Sequence, residues 1–86
     1  MIKGFYISDI RPLRGELTSL HKSCLGESAD IVFLEKGNPA ILKVWEDYGF
    51  IPKHTLRTSP VESFTPLREG EMSIRTANTV YTLTRL

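Results

Sequence analysis

The chain predicts an α+β fold: a small mixed sheet with two short helices, in the order β-α-β-α, followed by a C-terminal antiparallel β meander. Three observations predict it. Apolar residues recur at helical spacing at Leu13, Leu17, Leu20 and Cys24, and again at Ile41, Val44, Trp45 and Tyr48. A β-forming run precedes each of these stretches. Beyond Phe50 the composition turns to Thr, Ser and Val, punctuated by Pro52, Pro60, Pro66, Gly70 and Asn78, which reads as strands and turns. Eighty-six residues make one small domain with a thin core.

Ile2–Ile10 reads as the first strand. Phe5 and Ile7 point one way and Ile2, Tyr6 and Ile10 the other, so both faces are expected to be covered. Gly4 weakens the strand or marks a close backbone approach, and Pro12 breaks the run. From Leu13 to Cys24 the apolar stripe predicts a helix, with Pro12 suited to its start and Gly26 to its end. Gly15 in its first turn lowers helicity. Ile31–Leu34 reads as a buried strand between Asp30 and Lys36-Gly37.

The segment 39–48 decides between helix and strand. Ile41, Val44, Trp45 and Tyr48 fall on one helical face and Lys43, Glu46 and Asp47 on the other. As a strand, one face carries Ala40, Leu42, Val44 and Glu46, and the other Ile41, Lys43, Trp45 and Asp47. Neither strand face is clean, so the spacing predicts a helix. Asn38 as cap, Pro39 at the first helical position and Gly49 past the end agree. Trp45 is then expected to be buried with Ile41 and Val44, so that Trp45→Ala costs about 3–5 kcal/mol. A hairpin turning at Lys36–Pro39 is the alternative.

In the tail, His54–Thr58 and Val61–Thr65 read as two short strands or as one strand bent at Pro60. Met72, Ile74 and Thr76 alternate with Glu71, Ser73 and Arg75. Ala77-Asn78 forms a tight turn, and Thr79–Leu86 returns with Tyr81 and Leu83 on one face.

Composition excludes several functions. Net charge is +1, from eleven basic and ten acidic side chains, which disfavours a strongly basic nucleic-acid binder and an acidic DNA mimic. Cys24 is the single cysteine, so an internal disulfide and a Cys-rich zinc site are excluded. A reducing, cytoplasmic setting is expected. The uncharged runs are too short for a membrane span, and no signal-peptide pattern opens the chain.

The strand Ile2–Ile10, the loop Pro12-Leu-Arg-Gly15, the helix Leu17–Cys24, the strand Ile31–Leu34, Asn38 and the segment Ile41–Phe50 closing on Trp-Glu-Asp-Tyr-Gly-Phe follow one another in an order that resembles the second half of the GNAT acyltransferase superfamily. The resemblance is partial and covers residues 1–50. It implies an acetyl-CoA pyrophosphate loop at Arg11, Arg14 and Gly15, and Tyr48 as proton donor to a leaving thiolate. The family has small residues where Glu16-Leu17 stand here, so a degenerate, truncated relative is expected. The tail strings Thr-Ser-Pro-Val and Thr-Ala-Asn-Thr-Val-Tyr are similar to those of short phage and mobile-element proteins.

No catalytic or metal-binding set is identifiable. His21 lacks a partner carboxylate or nucleophile and reads as a helix-surface residue. Cys24 closes an apolar stripe and reads as a buried, inert thiol. Arg11, Arg14 and the amides near Gly15 could hold an anion. Lys53, His54 and Arg57 form a small basic patch for an acidic partner. The leading expectation is a non-enzymatic module that binds a macromolecule, a protein above all, with strand edges open to dimer pairing. The alternative is a minimal acyl-CoA-binding domain. Nucleic-acid binding through Lys53, His54, Arg57 and Arg68 ranks last.

Overall fold

The computed structural model describes residues 2–46, 51–66 and 68–86. Its strands are β1 (Ile2–Pro12), β2 (Ser28–Phe33), β3 (Pro39–Glu46), β4 (Ile51–Phe64), β5 (Glu71–Thr76) and β6 (Thr79–Arg85), with one short helix, α1 (Ser19–Cys24), between β1 and β2. Each strand pairs antiparallel with the next, and β6 returns to β1. The sheet is therefore a closed barrel in sequence order. This corrects the expected fold class. The sheet is antiparallel throughout, not mixed, and only one helix stands among the described residues.

The second expected helix is strand β3. Ala40, Leu42 and Val44 are fully buried, whereas Ile41, Lys43 and Trp45 on the alternate face are partly exposed. The inward face is apolar until Glu46, which is partly exposed at the strand end. The helical spacing of Ile41, Val44 and Trp45 was coincidental: Val44 points into the barrel, and Ile41 and Trp45 point out. The structure adopts the hairpin alternative, with Ala29 opposite Val44 and Ile31 opposite Leu42. Gly37, at φ 90°, supplies the left-handed residue that the connecting turn needs. The closing string from Asn38-Pro-Ala-Ile to Trp-Glu-Asp-Tyr-Gly-Phe50 is the more specific part of the acyltransferase resemblance, and its Pro39–Glu46 portion is extended. Tyr48, Gly49 and Phe50 lie outside the described residues.

Bulges explain why some apolar residues leave simple alternation. In β1 the register shifts between Ile7 and Asp9. That extra residue turns Ile10 inward, so that it joins Phe5 and Ile7 in the core and does not share a face with Tyr6. Gly4, at φ 91°, sits in a second shift between Ile2 and Phe5. In β2 a shift between Ile31 and Phe33 leaves Val32 and Phe33 exposed, so the Ile31–Leu34 run is not uniformly buried.

The two candidate tail strands are one strand, β4. Its first part pairs with β3, and Val61–Phe64 pair with β5. Pro39 faces Pro60, and neither proline has an N–H for the ladder. Thr58 compensates: its buried hydroxyl accepts from the Ala40 N–H at 2.9 Å and donates to the Ser59 carbonyl at 2.7 Å. The β5–β6 hairpin is present, with Ile74 opposite Tyr81 and Met72 opposite Leu83. Its buried face adds Met72, Ile74, Tyr81 and Leu83 to Phe5, Ile7, Leu42 and Leu56 in the interior. Each such side chain contributes about 1.5–3 kcal/mol when fully buried.

Closure also removes the expected strand edge. Every strand has a neighbour on each side, so the dimer pairing suggested for an exposed edge has no edge strand to use. No helix among the described residues is long and apolar enough to cross a membrane.

Candidate functional site

The helix predicted over Leu13–Cys24 is confined to its last turns. Arg14, Gly15 and Glu16 lie in a loop, and α1 starts only after Thr18, whose hydroxyl accepts from the His21 N–H at 3.1 Å. The expected anion site at a helix start is thereby corrected: Gly15 opens no helix. The proposed trio also separates. Arg11 belongs to β1, opposite Val80, while Arg14 and Gly15 belong to the loop.

Side chains of α1 reach two different strands. His21 Nε2 lies 3.0 Å from the Tyr81 hydroxyl on β6, and Ser23 Oγ lies 3.1 Å from His54 Nε2 on β4. Ser23 Oγ also donates to the Leu20 carbonyl at 2.9 Å, so its one proton is spent and His54 Nε2 is the donor in their bond. Cys24 ends the helix with its thiol in the core. Burial pushes that thiol up from its ordinary pKa, partly offset by the Ser23 hydrogen bond. Burial likewise raises the Tyr81 hydroxyl, partly offset by Thr79. Neither group is activated as a nucleophile or acid near neutrality.

His21 is not a simple surface residue. Its Nδ1 is buried without a partner. The tautomer with the proton on Nε2 leaves only a lone pair unmatched there. Protonation would add a buried N–H with no acceptor. Burial accordingly lowers the His21 pKa below 6.5. The unfolded chain therefore binds the proton more tightly than the folded one, and folding loses stability as pH falls through that value. We expect denaturant midpoints to drop between about pH 8 and about pH 5, and to drop less in His21→Gln. Equal slopes for both proteins would show that His21 does not carry the effect.

The basic patch expected at Lys53, His54 and Arg57 is not one surface. Lys53 is neutralised by Glu46 at 3.3 Å and Glu27 at 3.7 Å. His54 is held by Ser23. Arg57 sits opposite Ile41 on the outer face. Arg57 also lines, with Arg14, an open cleft of about 330 Å³ whose other lining residues include Glu16, His21, Asn78 and Tyr81. The cleft thus joins one residue from each of the two sequence-derived sets. Asn78 Nδ2 donates to Ser59 Oγ at 3.0 Å within this lining. Neither Arg14 nor Arg57 has an acidic partner within 4.0 Å among the described residues. In the sequence Asn78 marks only a turn and Tyr81 only a strand face, because their place in one cleft with Arg14 depends on the tertiary fold. Comparison of the chain with protein-family models, curated proteins and solved structures gives no match.

Proposed function

We propose that the protein is a small, non-enzymatic binding module that receives an acidic segment of a partner protein in the cleft between the Arg14 loop and β4. The observation that carries this reading is the placement of Arg14 and Arg57. They come from distant parts of the chain, line one cleft, and are left without carboxylate partners among the described residues. A guanidinium presents a planar fork that matches a carboxylate in two hydrogen bonds. Glu16 on the same cleft and the net charge of +1 favour a short acidic segment over a long polyanion.

Fluorescence anisotropy with a labelled oligoglutamate peptide tests it. Binding is expected at low salt and should weaken as salt rises. Arg14→Ala with Arg57→Ala should weaken it about tenfold or more. Equal affinity of the double variant, or tighter binding to single-stranded DNA than to the peptide, would sink the reading. The acyl-CoA alternative places a pyrophosphate beside Arg14 and Gly15. It predicts heat on titration with acetyl-CoA, and silence at millimolar ligand removes it.

A further inference from the structure

A second pocket, of about 320 Å³, lies where β1, β2 and β3 adjoin, and shares no lining residue with the arginine cleft. Lys3 and Gly4 of β1, Ser28 and Asp30 of β2 and Trp45 of β3 line it. Ser28 faces both Tyr6 and Trp45 in the strand register. Gly4 contributes no side chain to it, and a Cβ built there would meet nothing within 4 Å.

Three features point to a ligand. Ser28 is only 8% exposed, and its Oγ is buried without a hydrogen-bond partner. An unmatched buried hydroxyl is costly and is rarely left so. Lys3 and Asp30 line the same pocket with opposite charges, yet they form no ion pair with each other or with any other described residue. The aromatic wall is fixed in place. Trp45 Nε1 donates to Asp30 Oδ2 at 3.1 Å, and the Lys43 ammonium sits 4.5 Å from the ring centroid. Among the described residues, a cation and an anion without ion-pair partners, an unused hydroxyl and a held aromatic ring are together complementary to a molecule that carries both charges.

We infer that this pocket binds a small zwitterion of the free amino-acid class. Lys3 and the Ser28 hydroxyl receive its carboxylate, the free oxygen of Asp30 receives its ammonium, and the ligand's apolar part lies against the indole of Trp45. Charge-assisted hydrogen bonds to both ends select the bipolar molecule over either half alone.

Trp45 is the single tryptophan of the chain, so its emission reports on this pocket directly. L-leucine and L-glutamine are the probes, with acetate and methylamine as the two half-molecules. A saturable change in emission is expected with the amino acids and none with either half-molecule at the same concentration. Ser28→Ala and Lys3→Ala should each weaken the response about tenfold. Ser28→Ala removes an unmatched hydroxyl, so it should fold at least as stably as the parent. The Arg14→Ala, Arg57→Ala double variant should respond like the parent, which separates this site from the cleft. No change in emission up to about 10 mM amino acid, an equal response to acetate, or unaltered titrations in Ser28→Ala and Lys3→Ala would each overturn the inference.

Discussion

Leu42→Ala is expected to destabilise the protein by about 2–5 kcal/mol, while Lys43→Ala, one residue on, costs no more than about 1 kcal/mol, the worth of its contact with the Trp45 ring. Leu42 is completely buried at the centre of the barrel, opposite Ile31 on one side and Leu56 on the other. Removing its side chain opens a cavity between packed strands that cannot collapse without breaking ladder hydrogen bonds. Lys43 points outward. Trp45→Ala should cost less than Leu42→Ala, about 1–2 kcal/mol, because its indole is only partly buried and loses one hydrogen bond and one cation contact. Helical packing of this segment predicts the reverse order, with Trp45 the costliest residue. Urea denaturation of the three variants decides between them. A small domain with stability near the low end of about 5–15 kcal/mol leaves little margin for the Leu42 variant, so a midpoint at low urea is itself an expected result.

The helix-like spacing of β3 has a physical cause. A strand in a closed barrel buries one face only, and its outer face can still carry Ile, Trp and a Lys stem. Ile41 and Trp45 therefore supplied apolar residues at helical spacing to a segment whose real period is two. The cap signals misled for a related reason. Asn38 and Pro39 suit a helix start, but with Gly37 before them they suit a hairpin turn equally well. The decisive fact was the pairing on both sides: Leu42 and Val44 face Ile31 and Ala29 of β2, and Leu56 and His54 of β4, and the period of residues 39–48 taken alone does not contain those partners.

What was legible was local. The Met72, Ile74, Thr76 alternation and the Ala77-Asn78 turn identify the final hairpin, because its pairing partners are adjacent in sequence. Cys24 at the end of an apolar stripe is buried, as its position suggests. The candidate site was legible only in fragments. Arg14 and Arg57 stood out as basic residues, but the cleft they both line lies between elements distant in sequence, the Arg14 loop and β4. Lys53 stood out equally, and the structure spends it on Glu27 and Glu46. Charge in a sequence does not distinguish a cation that is neutralised from one that is free. Ile10 and Phe33 show the same limit for packing, since each bulge inverts the faces of all residues beyond it.

The final hairpin carries the second large expected effect. Thr76→Val should cost about 2–3 kcal/mol, although the two side chains have nearly the same shape. Thr76 is completely buried at the last position of β5. Its hydroxyl donates to the Thr79 carbonyl at 3.1 Å and accepts from the Thr79 N–H at 3.1 Å and the Asn78 N–H at 3.4 Å. One oxygen thus satisfies the backbone groups that the two-residue connection leaves over. Valine puts a methyl group there and strands them, with Thr79 itself only 4% exposed and cut off from water. Thr76→Ser keeps the hydroxyl and loses one methyl, so it should cost only about 0.8 kcal/mol. The effect should extend to β1, because Leu13 donates its N–H to the Asn78 carbonyl at 2.8 Å at the same corner. Amide exchange at Leu13 and Thr79 should therefore rise together in the valine variant and stay near parent rates in the serine variant. If valine costs no more than serine, the hydroxyl is not what holds this turn, and the hairpin stands on its apolar face alone.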